Sequence, residues 1–321
     1  MRVLIADDDD VLRHILEVSL LKWGYDVVVA RNGIEAWRLL QGDDSPRLAI
    51  LDWIMPGMDG VEVCKEIRKR EDRTYTYLLL LTAKHKKEDV IAGMEAGADD
   101  YIAKPFDSQE LKVRLRAGRR ILDLQAELLS ARETLRYQAT HDSLTGLLNR
   151  SAAIDALRNE LERANRQSVP LCLMLADFDH FKDINDTYGH SIGDAVLCEA
   201  ARRMRSSVRT YDSLGRYGGE EFLFILPGCD ADDARTQAER LQTCITSTPI
   251  ELPHVTISFT ISIGIVVQYS TTVADLDFLI QAADAALYAA KMQGRNRVVL
   301  SGSSMPAPKS IPTPTLLEPR A

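Results

Sequence analysis

Residues 48–52 read LAILD, four consecutive apolar residues that end in an aspartate. A run without polar alternation predicts a strand buried on both faces, which is typical of a parallel sheet. Segments of helical length separate this run from four similar ones. The other apolar runs are residues 3–6, 27–29, 78–81 and 101–103. This alternation predicts a doubly wound, flavodoxin-like α/β domain at the start of the chain.

Polar residues follow these predicted strands at their carboxyl ends, where doubly wound domains place their functional sites. Asp7 and Asp8 follow the first strand, Asp52 ends the third, Thr82 ends the fourth and Lys104 follows the fifth. Carboxylate oxygens are ligands for Mg²⁺. Such an ion would offset charge while Asp52 attacks a phosphoryl group. Thr82 and Lys104 would then contact the phosphoryl oxygens through a hydroxyl and an ammonium group.

Four motifs of this region resemble the receiver domain of two-component response regulators in their order and spacing. They are VLIADDD (3–9), LDWIMPGMDG (51–60), LLLTA (79–83) and YIAKPF (101–106). The resemblance implies that residues 1–120 form a receiver whose phosphate acceptor is Asp52. It also implies that Asp8, Asp52 and the backbone carbonyl of Ile54 bind Mg²⁺, with Asp7 near the metal.

The same resemblance assigns the conformational switch of the receiver. Thr82 and Tyr101 would form the switch pair, Lys104 would pair with the phosphoryl group, and the Lys104–Pro105 peptide bond would be cis. A cognate sensor histidine kinase is the partner that such a receiver implies.

A predicted helix over about residues 107–138 follows the receiver. Its apolar residues at spacings of three and four form a heptad seam with charged flanks: Ile121, Leu124, Leu128, Ala131 and Leu135. We interpret residues 121–140 as a helical dimerisation stalk. Because the seam covers only about two heptads, a helix packed on its own domain is the alternative.

Residues 141–301 predict a second α/β unit, with apolar strands at 171–176, 222–226 and 255–267. Asp177 follows the first of these strands. Gly218 and Gly219 predict a tight hairpin with positive φ, and Glu220 and Glu221 emerge beside it. Carboxylates at a strand end and on a neighbouring hairpin suit divalent cations and a triphosphate.

Basic and polar side chains elsewhere in this unit supply the remaining groups that a nucleotide needs. Lys182, Lys291 and Arg295 bring positive charge for phosphates. Lys291 and Arg295 are four residues apart and would share a helix face if the helix extends that far. Asn185 and Asp194 can read a purine edge. The sequence has no P-loop motif.

Four segments of residues 141–301 resemble the GGDEF domain of diguanylate cyclases, an α/β cyclase or palm-like fold. They are HDSLTGLLNR (141–150), LADFDHFKDINDTYGHSIGD (175–194), RYGGEEF (216–222) and YAAKMQGRNR (288–297). The resemblance implies that Asp177, the carbonyl of Phe178 and Glu220 bind Mg²⁺ or Mn²⁺. Glu221 would serve the second metal or remove a proton, and the choice between Glu220 and Glu221 as base stays open.

The resemblance also implies the substrate contacts. Asn185 and Asp194 would read guanine, while Lys182, His190, Lys291 and Arg295 would surround the phosphates and the nucleotide. For His190, a structural role is the alternative. The implied reaction joins two GTP into cyclic di-GMP and two pyrophosphates. Because each domain holds one GTP, the reaction requires a homodimer.

An RxxD motif, Arg209 to Asp212, precedes the GGEEF segment. By resemblance it is the site at which cyclic di-GMP inhibits its own synthesis, with Arg240 as a secondary contact. A surface ion pair is the alternative interpretation. We therefore expect a diguanylate cyclase that phosphorylation of Asp52 activates. The competing function is a catalytically silent cyclic di-GMP receptor or scaffold.

The composition of the chain excludes several classes of function and location. The chain has 321 residues and a net charge of −8, which argues against a nucleic-acid partner. No apolar run reaches the roughly 18 residues of a membrane span. The five cysteines lack any CxxC spacing and are expected to be reduced thiols of a cytoplasmic protein. Residues 302–321, with five prolines, predict a disordered tail.

Overall fold

The structure is a computed structural model. It describes residues 1–42, 44–69, 75–83, 87–253, 255–269 and 275–302. The chain divides into two compact units, Met1–Glu133 and Thr134–Ala321. The tail predicted for residues 302–321 lies outside the described residues from position 303 onward.

The first unit is a five-stranded parallel sheet with helices on both faces. Its elements are β1 Arg2–Ala6, α1 Asp10–Lys22, β2 Asp26–Ala30, α2 Gly33–Leu40, β3 Leu48–Asp52, α3 Gly60–Arg68, β4 Tyr77–Thr82, α4 Lys87–Glu95, β5 Asp100–Ala103 and α5 Ser108–Thr140. The strand order is β2-β1-β3-β4-β5, and every pairing is parallel. The predicted doubly wound fold is therefore confirmed.

Side-chain caps fix where two helices begin beside the carboxyl edge of this sheet. Asp9 accepts hydrogen bonds from the amides of Val11 and Leu12 at 2.8 and 3.3 Å, which starts α1 directly after β1. Asp59 and Glu62 form a reciprocal capping box at the start of α3. These caps hold the loops after β1 and β3 against the sheet edge, where Asp7 and Asp52 lie.

Helix α5 changes character along its length. Leu111, Leu115 and Leu122 are buried. Four residues of the heptad seam are between 46% and 69% exposed: Ile121, Leu124, Leu128 and Leu135. The alternative that the seam packs on its own domain is therefore wrong for these four side chains.

The second unit contains a mixed five-stranded sheet and a two-stranded hairpin. Its elements are α6 Arg150–Gln167, β6 Leu171–Phe178, α7 Phe181–Tyr188, α8 His190–Ser207, β7 Ser213–Arg216, β8 Glu221–Pro227, α9 Ala231–Thr246, β9 Ile250–Leu252, β10 Val255–Ile257, β11 Ile261–Gln268, α10 Leu276–Met292 and β12 Val298–Leu300. The order of the main sheet is β12-β11-β6-β8-β7. Strand β6 lies at its centre, antiparallel to both neighbours.

The single strand predicted over 255–267 is two strands. Residues Val255–Ile257 pair with β9 in the hairpin, whereas Ile261–Gln268 pair with β6 in the main sheet. The chain must leave one sheet and enter the other, so the run breaks between them. At the break, the carbonyl of Thr260 accepts a hydrogen bond from the Asp179 amide at 2.9 Å.

Aromatic side chains fill the core at the end of β6. Phe178, Phe181 and Phe222 are at most 5% exposed, as the sequence predicts. The ring of Phe259 joins them, with its centroid 4.9 Å from that of Phe178. Among the described residues, no helix combines the length and apolar character that a membrane span requires.

Candidate functional site

Three carboxylates meet at the carboxyl edge of the first sheet. Oxygens of Asp7, Asp8 and Asp52 all lie within 4.8 Å of one another. Asp7 is completely buried and Asp52 is 8% exposed, while Asp8 is exposed. Hard oxygen donors this close together fit a divalent cation such as Mg²⁺.

The ammonium group of Lys104 lies between two of these carboxylates. Its Nζ is 2.9 Å from Asp7 Oδ2 and 2.8 Å from Asp52 Oδ1. Burial raises the pKa of Asp52, and hydrogen bonding to Lys104 only partly opposes this effect. Burial alone would lower the pKa of Lys104, but its hydrogen bonds to Asp52 and Asp7 raise it. The lysine therefore stays cationic and balances the acidic cluster. The Lys104–Pro105 bond is cis, as expected.

The predicted switch residues lie on adjacent strands at the same edge. Thr82 is 1% exposed at the end of β4, and its register partner on β5 is Ala103. Tyr101 is two residues earlier on β5 and half-buried. Ile54 follows β3 with its side chain 62% exposed. The structure thus brings the sequence-predicted receiver residues to one sheet edge.

The second cluster of carboxylates lies at the end of β6. Asp177 is in register with Glu221 on β8, and the amide of Phe178 donates to the Glu220 carbonyl at 3.4 Å. Lys291 Nζ, from the last turn of α10, lies 2.9 Å from Asp177 Oδ1. Lys291 therefore contacts the carboxylate in this structure, whereas the sequence predicted a phosphate contact.

Burial dominates the electrostatics of this cluster. It raises the pKa of Asp177, Glu220 and Glu221, and the charge of Asp177 raises the pKa of both glutamates further. Lys291 lowers the pKa of all three, and Arg295 lowers that of Asp177. Unlike the receiver carboxylates, these three do not bring one oxygen each within 4.8 Å of one another. A divalent cation would add a counter-charge to carboxylates that repel one another.

The GGEEF hairpin differs from the prediction in its backbone. Neither Gly218 nor Gly219 lies in the left-handed region, and residues 217–220 form the connection between β7 and β8. The glycines matter for space instead. A Cβ on Gly218 would lie 2.7 Å from Glu221 Oε2. Apart from its two chain neighbours, a Cβ on Gly219 would meet no atom of the described residues within 4 Å, so this exposed glycine faces open space.

The predicted guanine-reading residues lie at the junction of α7 and α8. A Cβ on Gly193 would lie 1.9 Å from Asn185 Oδ1, so only glycine there lets the Asn185 amide approach α8. Asp194 is the next residue along α8 and is exposed. Lys182 and His190 are also exposed, and His190 is the first residue of α8. The structural role considered for His190 is therefore not that of a buried core histidine.

Arg295 does not share a helix face with Lys291, because the helix does not extend to Arg295 as the predicted shared face required. Helix α10 ends at Met292, and the chain turns through Gly294, Arg295 and Asn296 with φ of 112°, 60° and 47°. The amide of Arg295 donates to the Ala290 carbonyl at 3.1 Å, which closes the helix end. Arg295 nevertheless remains close enough to lower the pKa of Asp177.

The three residues of the predicted inhibitory site converge. Arg209, Asp212 and Arg240 line one cavity of about 160 Å³. The backbone amide of Arg209 donates to Asp212 Oδ2 at 2.8 Å, while its guanidinium donates to the Tyr211 hydroxyl at 2.8 Å. Burial raises the pKa of Asp212 despite this hydrogen bond. Asp212 thus accepts its hydrogen bond from the Arg209 backbone. The Arg209 guanidinium does not form the surface ion pair with Asp212 that was the alternative interpretation.

Sequence reasoning missed two positioning contacts. Arg216 holds the hairpin, because its guanidinium donates to the Gly219 carbonyl at 2.7 and 3.0 Å and pairs with Asp142 at 3.1 Å. Burial would raise the pKa of Asp142, but hydrogen bonds from Thr145 and Arg216 outweigh it and lower that pKa. The second is Asp179, a buried carboxylate two residues after Asp177. The repeated aspartate in the DFD segment was the available signal.

Comparison with known families agrees with both halves of this architecture. The profile described as a response regulator receiver domain matches residues 3–116, and that of the diguanylate cyclase GGDEF domain matches residues 139–297. The chain joins a receiver domain to a GGDEF domain. It is similar to response regulator PleD of Caulobacter vibrioides, with 32% identity over 315 residues. The match covers 93% of this chain and 65% of PleD.

Solved structures resemble the GGDEF half. The coiled coil and GGDEF domain of DgcB from Caulobacter crescentus, in complex with c-di-GMP, has a TM-score of 0.53 and 32% identity, and the match covers 59% of this chain and 98% of that one. Diguanylate cyclase SiaD from Pseudomonas aeruginosa, in complex with its activator SiaC, has a TM-score of 0.50 and 36% identity, with 60% and 74% covered. These matches support the assignment of the second unit as a GGDEF domain.

Proposed function

We propose that this chain is a response regulator whose GGDEF domain condenses two GTP into cyclic di-GMP and two pyrophosphates. The observation that carries the proposal is the cluster of Asp177, Glu220 and Glu221, with Lys291 and Arg295 beside it. A catalytically silent receptor has no need of this full set of acidic and basic groups. The same choice is supported by SiaD, which is a diguanylate cyclase, and by DgcB, whose GGDEF domain binds c-di-GMP.

The proposed reaction is attack of the 3′-hydroxyl of one GTP on the α-phosphorus of the other, twice. Lys182, Lys291 and Arg295 hold the phosphates, and the half-buried Asn185 and exposed Asp194 at the α7–α8 junction read guanine. A bound Mg²⁺ or Mn²⁺ supplies Lewis-acid charge at the phosphates. One of the two glutamates accepts the hydroxyl proton, for which a raised pKa makes a carboxylate a better base.

Catalysis requires two copies of the chain, because each GGDEF domain holds one GTP. The exposed seam of α5 supports a homodimer, since Leu124, Leu128 and Leu135 are more than half exposed in the single chain. A parallel pair of such helices would bury these residues at a and d positions. Positioning two substrates face to face then supplies much of the rate acceleration.

Control by the receiver is the second part of the proposal. A sensor histidine kinase transfers a phosphoryl group to Asp52, and Lys104 and Thr82 contact its oxygens. Tyr101 then moves inward behind Thr82 and changes the surface beside α5. Tenfold activation requires only about 1.4 kcal/mol of differential stabilisation between two states. Feedback is the third part, with cyclic di-GMP bound by Arg209, Asp212 and Arg240.

The test is incubation of the full chain with GTP and Mg²⁺ or Mn²⁺, followed by chromatography for cyclic di-GMP and pyrophosphate. We expect product from the wild type and at least a 100-fold loss in Asp177→Asn and Glu220→Gln, since each removes a charge that holds the metal. Asp155→Asn, on the surface of α6, is the matched control. Product from Asp177→Asn at the wild-type rate would contradict the site assignment. Cyclic di-GMP binding without any synthesis would favour the receptor instead.

A further inference from the structure

Asp179 is a buried carboxylate that accepts hydrogen bonds from three donors. It is 5% exposed. The hydroxyls of Thr260 and Ser262 donate to it at 2.7 Å each, and the backbone amide of Asn296 donates to Oδ2 at 3.0 Å. Its own amide donates to the Thr260 carbonyl at 2.9 Å. The side chain thus joins the end of β6, the start of β11 and the turn after α10.

The turn that Asp179 holds is conformationally unfavourable by itself. Arg295 and Asn296 are consecutive non-glycine residues in the left-handed region, with φ of 60° and 47°. A Cβ makes that region costly, so two such residues in succession persist only when their surroundings fix them. The Asp179 carboxylate fixes the Asn296 amide, and Gln242 Nε2 donates to Asn296 Oδ1 at 2.8 Å.

This turn decides where the Arg295 guanidinium lies. Arg295 lies in the chain between two contacts to the end of β6. Lys291 Nζ, in the last turn of α10, is 2.9 Å from Asp177 Oδ1. The Asn296 amide is 3.0 Å from Asp179 Oδ2. If Arg295 and Asn296 left the left-handed region, the Arg295 side chain would extend from the backbone in a different direction. The oxygens of Asp179 accept from Thr260, Ser262 and Asn296, so this side chain holds the backbone next to Arg295.

We propose that Asp179 is a positioning residue for GTP binding, which holds the left-handed Arg295–Asn296 turn so that Arg295 reaches the phosphates. The inference rests on the proposed function of the GGDEF domain. It assigns to the second aspartate of the DFD segment a role separate from that of Asp177. Asp177 contributes negative charge at the reacting site, whereas Asp179 positions the Arg295 side chain.

A double-mutant cycle tests the proposal. Arg295→Ala and Asp179→Ala are each expected to raise the KM for GTP about tenfold. Because both substitutions remove the same contact with the phosphates, the double variant is expected to raise it about tenfold as well, rather than a hundredfold. Arg166→Ala is the matched control, because Arg166 lies on α6 near the opposite end of β6 from Asp177. Combined with Asp179→Ala, it is expected to be additive. Additive effects of Asp179→Ala and Arg295→Ala would overturn the inference.

Glycine rescue separates the turn from a direct charge effect. Glycine adopts positive φ without the Cβ penalty. The double variant Asp179→Ala, Asn296→Gly is therefore expected to have a KM for GTP at least about threefold lower than that of Asp179→Ala. Asn296→Gly alone is the reference for this comparison. No recovery would overturn the positioning role. If Asp179→Ala does not fold, Asp179→Asn gives the test by itself. Its amide oxygen still accepts from the Asn296 amide, so the KM for GTP is expected to stay within about threefold of the wild-type value, and a tenfold rise would overturn the positioning role.

The readouts distinguish this inference from the function on which it rests. Binding of a fluorescent GTP analogue, formation of cyclic di-GMP and the thermal unfolding midpoint are measured on each variant of the full chain. A wild type that makes no product would overturn the proposed function. A wild type that makes product, together with an additive cycle, would overturn the role of Asp179 alone.

Discussion

Replacement of Gly219 by alanine separates folding from nucleotide binding at the GGEEF hairpin. The added Cβ meets no protein atom within 4 Å, and the φ of Gly219 lies outside the left-handed region. Alanine in a compatible conformation stabilises a protein by about 0.4–1 kcal/mol, because it restricts the unfolded chain. For a unit of this size, that corresponds to an unfolding midpoint raised by roughly 1–4 °C.

Activity is expected to move in the opposite direction. On the proposed function, GTP phosphates that approach Glu220 across the exposed Gly219 would meet the new methyl group and lose part of the volume that they need. Displacement of a reacting group by about 1 Å can cost about 100-fold in rate. We therefore expect Gly219→Ala to lose about 100-fold in kcat/KM, which is about 2.7 kcal/mol of transition-state stabilisation.

Calorimetry and initial-rate measurements on the same preparation give both numbers. Gly302→Ala is the matched control, since it makes the same chemical change with no atom within 4 Å and lies outside the nucleotide site. Wild-type kcat/KM in Gly219→Ala would refute the placement of the phosphates beside this glycine. A lowered unfolding midpoint would refute the reading of the hairpin as open and conformationally permissive.

Three further predictions concern the receiver, the hairpin support and the feedback site. Asp52→Asn should keep basal synthesis but lose activation by beryllofluoride, measured by product formation with light scattering for mass; equal activation of both proteins would exclude control through Asp52. Asp142→Asn should destabilise the protein in urea at pH 7. Because hydrogen bonding lowers the folded pKa of Asp142 below its ordinary value of 3.8, this contribution exists above that pH and is lost as pH falls through the lowered pKa. The difference between wild type and Asp142→Asn should therefore shrink in acid, and a difference that persists at low pH would contradict the linkage. Arg209→Ala should relieve inhibition by added cyclic di-GMP with little loss of initial rate, and an unchanged inhibition curve would place feedback elsewhere.

Elements with long, uniform patterns were predictable from the sequence. The apolar runs of the receiver strands and the 33-residue helix α5 are confirmed because burial and periodicity extend over many residues. Strands β7, β9 and β12 are three or four residues long and give no pattern. The break between β10 and β11 was missed, because both strands are apolar and only the exchange of partners separates them.

Site residues divide in the same way. Asp177 and Lys104 were predictable because they end or follow strands, and the strand topology fixes where such positions meet. The turn at Arg295 was not, since its conformation depends on Asp179, more than a hundred residues earlier in the chain. The local conformational preferences of L-residues do not predict two successive residues in the left-handed region. The Arg295 amide is held locally by the Ala290 carbonyl, whereas the Asn296 amide is held by a tertiary hydrogen bond that no spacing in the sequence records.

Both domains balance their carboxylates with a lysine from a different element. Lys104 pairs with Asp7 and Asp52 in the receiver, and Lys291 pairs with Asp177 in the GGDEF domain. Partly buried acids without such a partner would protonate or repel one another. On the proposed function, a divalent cation bound together with phosphate would neutralise the carboxylates, and the lysine would be free to contact the phosphate oxygens. The lysine would then change partner while every charge keeps a counter-charge. Each site could accept a phosphate group without the free-energy penalty of a buried charge that has no counter-ion. This exchange requires a flexible cation on a neighbouring element, which is why a lysine, with its long stem and compact ammonium, suits both positions better than an arginine.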